Sequence, residues 1–219
     1  MTFLTQILKK LVGIFDVSGA QHLYLRTAMP PGFPIWQLFS AASNFSEIDR
    51  SKPLRSKVSD EKWNVVVFAL GLGDDNGLYP SPPPTPLEAH PLSQVWWEVP
   101  QHSLYVIGFW SKSAEFLRLS VERRSIAAAV GFTGELFVNL ESDRSVEWWQ
   151  GFFHGLMRLI ARTDQVDDKL YSQLMCYYDD AIKNCSKEES KNFGGSGIYL
   201  RQIALVNQQS QLRLISPQY

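Results

Sequence analysis

The sequence predicts an α+β fold: a largely antiparallel sheet of about seven to nine strands, with amphipathic helices packed on it. Three observations carry this reading. Between Ser103 and Ala161, short runs alternate apolar and polar residues. They are Leu117-Arg118-Leu119-Ser120-Val121-Glu122, then Ile126, Ala128, Val130 and Phe132, then Leu136, Val138 and Leu140 beyond the turn residues Thr133-Gly134. Such alternation is the period of a half-buried strand. The connections between these runs are short, whereas parallel neighbours need a crossover of about a dozen residues or more. Finally, Val146–Arg162 places Trp148, Trp149, Phe152, Phe153, Leu156, Met157 and Ile160 on one half of a helical wheel. An arc that broad lies flat on a sheet. Residues 1–219 read as a single domain with a proline-rich loop at about 74–94, because the strands flanking that loop need neighbours; a two-domain split there is the alternative.

Composition narrows the class. The chain has 219 residues, 45% hydrophobic and 20% charged, which is ordinary globular usage. Aromatic residues make up 13%, with seven tryptophans, enough for a well-packed core or adhesive interfaces. A net charge of −1 supplies no global positive field to draw in nucleic-acid phosphates. Cys176 and Cys185 fall in one predicted helix, about 13.5 Å apart along its axis. That is too far for a disulfide, and a reducing, cytoplasmic setting is expected. No run approaches the length of a membrane span, and Lys9 and Lys10 interrupt the first apolar stretch, so no secretory signal is expected.

The first element is a predicted amphipathic helix over Thr2–Phe15. Phe3, Leu4, Ile7, Leu8, Leu11 and Phe15 share a face that must be buried on the protein's own core, a partner or a membrane surface. A strand over Gln21–Thr27 follows, with Leu23 and Leu25 inward and His22 outward. A short helix is expected at Pro34–Phe45, then a polar, mixed-charge loop to Lys62. Val65–Leu70 is a continuous apolar run, so this strand is covered on both faces. Beyond it, Tyr79–Pro91 carries six prolines and reads as a stiff spacer with two P-x-x-P matches.

Val95–Val99 holds Trp96 and Trp97, whose rings point to opposite faces if this is a strand, and Leu104–Trp110 is a further apolar strand. After the Val146–Arg162 helix, Thr163-Asp164 is expected to cap another helix reaching about Cys185. Ser186–Gly197 reads as a loop, and Ile198–Val206 with Leu212–Ile215 as a closing hairpin. No internal repeat is present.

Candidate chemistry is sparse. The two cysteines and four scattered histidines (His22, His90, His102, His154) have no metal-ligand spacing, and no metal or cofactor is expected. His154 falls on the polar half of its helix, between Gln150 and Arg158, with nothing local to tune it. Asp74 and Asp75 sit in a Gly-flanked turn after an apolar strand. There, paired carboxylates can hold a divalent ion or divide acid and base roles, though the same residues are ordinary in turns. Gly71-x-Gly73 is too short for a dinucleotide fingerprint, and the Gly194-Gly195-Ser196-Gly197 loop leads into a strand rather than a helix. No Walker loop, Gly-x-Ser-x-Gly elbow or His-Glu-x-x-His occurs. Arg118, Arg123 and Arg124 cluster where a strand is expected to end, serving an acidic partner or guarding an edge.

Two functional expectations follow. One is a non-catalytic interaction subunit or adaptor of a larger intracellular assembly, resting on the terminal amphipathic helix, the proline loop and the paired tryptophans. Such a chain self-associates when its partner is absent. The other is a metal-dependent hydrolase using Asp74 and Asp75.

Overall fold

The computed structural model describes residues 19–26, 45–48, 64–78, 104–123, 126–136, 143–190 and 212–217. The strands are β1 (Ala20–Arg26), β2 (Phe45–Glu47), β3 (Asn64–Leu70), β4 (Gly73–Asp74), β5 (Gly77–Leu78), β6 (Leu104–Phe109), β7 (Ala128–Phe132) and β8 (Leu212–Ile215). The helices are α1 (Ser113–Glu122), α2 (Asp143–Ile160) and α3 (Asp168–Ser190). Six strands form one sheet in the order β2-β1-β3-β6-β7-β8, and β4 and β5 make a separate two-stranded hairpin.

The expectation of a largely antiparallel sheet is overturned. The pairs β1–β2, β1–β3, β3–β6 and β6–β7 are all parallel, and only β7–β8 within the large sheet is antiparallel. The fold is therefore α/β in character. Its register runs Leu23↔Val67 between β1 and β3, Val67↔Val106 between β3 and β6, and Val106↔Ala129 between β6 and β7.

The error traces to one segment. Leu117–Glu122 alternates in sequence, yet it lies in α1, whose buried residues are Ser113, Phe116, Leu117, Ser120 and Val121. Those positions follow the helical period of three and four. Two are serines, which breaks the apolar stripe when only hydrophobicity is read. Their hydroxyls are satisfied internally. Ser120 Oγ donates to Phe116 O at 3.0 Å, and Ser113 Oγ donates to Gly108 O at 3.1 Å while accepting from the Phe132 amide at 2.8 Å. With 113–122 helical, residues 110–127 become the long crossover that a parallel β6–β7 pair needs.

Period-2 alternation persists in the sheet, but both sets of side chains are apolar because both faces are covered. On one face, Tyr24, Val66, Phe68, Ile107, Phe109, Val130 and Phe132 pack under α2 and α3. On the other, Leu23, Val65, Val67, Leu104, Val106 and Ala129 join Phe116, Leu117 and Val121 of α1. The expected strands at Gln21–Thr27, Val65–Leu70 and Leu104–Trp110 appear within a residue or two of their positions, and the helix expected at Val146–Arg162 within three. The following helix starts later than expected: Asp167, not Thr163-Asp164, caps it, with Oδ1 accepting the Leu170 amide at 2.8 Å. Of the expected closing hairpin, Leu212–Ile215 is a strand, but it pairs with β7.

Phe45–Glu47, expected as the end of a helix and the start of a loop, is strand β2, and residues 186–190, expected in a loop, belong to α3. The expected helices over 2–15 and 34–44, the proline segment 79–91, the strand over 95–99, and the remaining strands and loop over 137–140 and 191–206 lie outside the described residues.

Aromatic packing joins the helices to the sheet. Phe109 meets Phe132 at 4.9 Å and Phe153 at 5.1 Å between ring centroids, both edge to face. Trp149 stacks on Phe153 at 5.5 Å. The α2–α3 seam is closed by Tyr177, whose ring stacks on Phe152 and whose hydroxyl donates to Phe152 O at 2.7 Å. Tyr171 OH reaches Leu212 O at 3.1 Å and ties α3 to β8.

Close approach demands glycine at Gly131. A Cβ there would lie 2.9 Å from the Ala114 N and Cα, where α1 crosses β7, while a Cβ at Gly151 on α2 meets nothing within 4 Å. Gly131→Ala should therefore lower the free energy of unfolding by about 1–3 kcal/mol, because backbone must shift. Gly151→Ala should raise it by up to about 1 kcal/mol through helix propensity. Urea unfolding of the two variants checks both signs, and an unchanged Gly131→Ala midpoint would refute the close α1–β7 contact.

Candidate functional site

The described polar side chains with the most organised geometry gather at the carboxyl edge of the parallel strands and along α1. In open α/β sheets that edge is the usual ligand side, above all where the strand order reverses. Here the order reverses between β1 and β3. The chain leaving β3 forms the β4–β5 hairpin, with register Gly73↔Leu78 and Asp74↔Gly77 and a turn at Asp75-Asn76. Gly77 adopts φ 133, a conformation open to glycine.

A tryptophan locks this hairpin. Trp110, which follows β6 and is 1% exposed, donates from Nε1 to Asp74 O at 3.0 Å. Its ring occupies the space a Gly73 Cβ would need, 2.6 Å from Trp110 Cδ1. The predicted acid pair thus sits on a fixed support. One oxygen of each carboxylate is engaged within the turn: Asp74 Oδ1 accepts the Asn76 backbone amide at 2.7 Å, and Asp75 Oδ1 accepts from Asn76 Nδ2 at 3.1 Å. This is an Asx-type turn closure. Among the described residues no group of three or more His, Cys, Asp or Glu side chains is arranged to hold a metal ion.

Beside the hairpin, the loop from β6 to α1 is clamped to the loop after β7. Ser111 Oγ accepts the Leu136 amide at 2.9 Å and donates to Leu136 O at 3.4 Å, while the Lys112 amide donates to Gly134 O at 2.8 Å. Lys112 holds φ 55, ψ 24 at the start of α1, the one non-glycine in the left-handed region among the described residues. That conformation costs on the order of 1 kcal/mol for an L-residue. Its ammonium pairs with Glu135 at 3.0 Å. The Glu135 carboxyl is thereby held below its ordinary range, first by the Lys112 hydrogen bond and then by Ser111, while Lys112 is raised by Glu135 and, more weakly, by Asp75 and Asp74.

From here a groove of about 1000 Å³ runs between α1 and β8. Val121, Leu214, Ile215 and Pro217 provide apolar lining, and Asp75, Lys112, Glu115, Arg118, Glu122 and Arg213 the charged rim. Arg118 is the centre of that rim. It engages Glu115 through two nitrogens, at 3.0 and 2.6 Å, and Glu122 through a third. The i,i+3 and i,i+4 spacing on a helix places all three side by side. The Glu115 carboxyl is lowered mainly by its Arg118 bond, and Arg118 is raised mainly by Glu115 and then Glu122. The pairing of Arg118 with acids on its own helix replaces the expected strand-end cluster with Arg123 and Arg124. Arg123 instead caps α1 through its backbone amide to Leu119 O, and Arg124 lies outside the described residues.

The other candidates disperse. His22 does not face outward: it is 2% exposed, because the sheet is covered on both sides, and its Nε2 donates to Thr163 O at 2.9 Å. His154 is exposed on α2, and Cys176 is exposed on α3. His90, His102, Trp96, Trp97 and the P-x-x-P segment lie outside the described residues. Sequence reasoning alone does not single out Trp110, Ser111, Lys112 or Glu135. The signal for the first three is the Trp-Ser-Lys-Ser step directly after an apolar strand, a strand-to-helix junction that the alternation in Leu117–Glu122 masks. No protein family, curated protein sequence or solved structure matches this chain.

Two tests follow from this geometry. Asp74→Asn keeps an oxygen to accept the Asn76 amide and should leave stability near that of the parent. Asp74→Ala should cost about 1 kcal/mol, read from denaturant midpoints; equal effects of the two would exclude the turn-closing role. The second concerns acid. Glu115 and Glu135 both titrate below their ordinary value of 4.5 when folded. Their stabilisation is therefore complete above that value and fades as pH falls through the lower folded values. A Glu115→Gln/Glu135→Gln variant should show a shallower loss of stability below pH 4.5; a slope equal to the parent's would contradict the assignment.

Proposed function

We propose that this chain is a non-catalytic protein-interaction subunit or adaptor of a larger intracellular assembly, engaging a segment of a partner polypeptide along the groove between α1 and β8. The observation that supports the reading is the make-up of that groove: buried or half-buried Val121, Leu214 and Ile215 line it together with exposed charged side chains. Protein interfaces mix apolar and polar surface in this way. Several of the rim charges are already paired on the chain itself, so a partner need not supply counter-charges to approach. A cytoplasmic setting fits this reading, and among the described residues no helix is long and apolar enough to cross a membrane.

A second reading, the metal-dependent hydrolase at Asp74 and Asp75, keeps one support: both acids follow a strand at the sheet's order reversal, and Asp75 reaches the groove. The engagement of one oxygen of each carboxylate within the turn weighs against it.

The groove reading is tested with Ser216→Arg, which adds a long cationic side chain at an exposed lining position. His154→Arg on the exposed face of α2 serves as the control. In affinity capture of the tagged chain, a stoichiometric protein partner should be retained by the parent and the control, and reduced at least tenfold by Ser216→Arg. Equal recovery on all three, or no stoichiometric partner on any, would overturn the proposal. Isothermal titration of magnesium or manganese into the parent and an Asp74→Asn/Asp75→Asn variant addresses the second reading, which requires heat that the variant loses.

A further inference from the structure

No further inference is drawn: the strongest candidate, the groove that runs along α1 beside the edge strand β8, belongs to the site already described, and its balanced rim charges leave nothing in the structure to show which occupant covers it.

Discussion

The strand β3 sets the terms for everything around it. From Val65 to Leu70 every side chain is at most 2% exposed, and successive residues point to opposite faces. Each buried Val, Leu or Phe stabilises the fold by roughly 1.5–3 kcal/mol relative to exposure, so neither face can be left to water. The strand needs a strand on each side and a layer above and below. β1 and β6 satisfy the first requirement in parallel register. Helices α2 and α3 cover one face, and α1 contributes to cover on the other. A parallel sheet buried on both sides is the architecture in which this arrangement normally occurs.

That constraint is legible in the sequence; the parallel pairing it favours is not. The unbroken run of apolar residues in Val65–Leu70 announced two covered faces. The apolar strand at Leu104–Trp110 pointed the same way. What hid the parallel topology was α1, where buried Ser113 and Ser120 interrupt the apolar stripe and leave Leu117–Glu122 looking extended. Hydrophobic periodicity cannot register a serine that is buried because its hydroxyl has partners. The long helices were readable because their apolar arcs are continuous. The same reasoning explains His22: outward on a one-sided sheet, it is inward on a two-sided one. Of the site, the acid pair was visible as letters in a turn. The groove was not, since it joins α1 to a strand about a hundred residues later in the chain, and no local pattern encodes such a juxtaposition.

Electrostatics within the groove are largely self-contained. Glu115, Arg118 and Glu122 form one helix-borne network, and Lys112 pairs with Glu135 across two loops. Exposed pairs of this kind contribute little to stability individually. Their effect here is to fix the shape of the rim and lower its local field. Binding of the proposed partner on such a surface would owe little to attraction at a distance, and so would vary weakly with ionic strength.

The antiparallel strand β8 has a consequence in time rather than space. It pairs Phe132 of β7 with Leu212, yet both α2 and α3 lie between them in the chain. During synthesis at roughly 5–20 residues per second, residues 133–211 take about 4–16 s to appear. For that interval the β7 edge lacks its neighbour, while the parallel core from β1 to β7 is already complete in sequence. Once α2 and α3 have emerged to cover their face, and until β8 follows, the chain carries an open sheet edge of the kind that pairs with other chains. It is the interval in which a chaperone that shields strand edges would matter most to this protein.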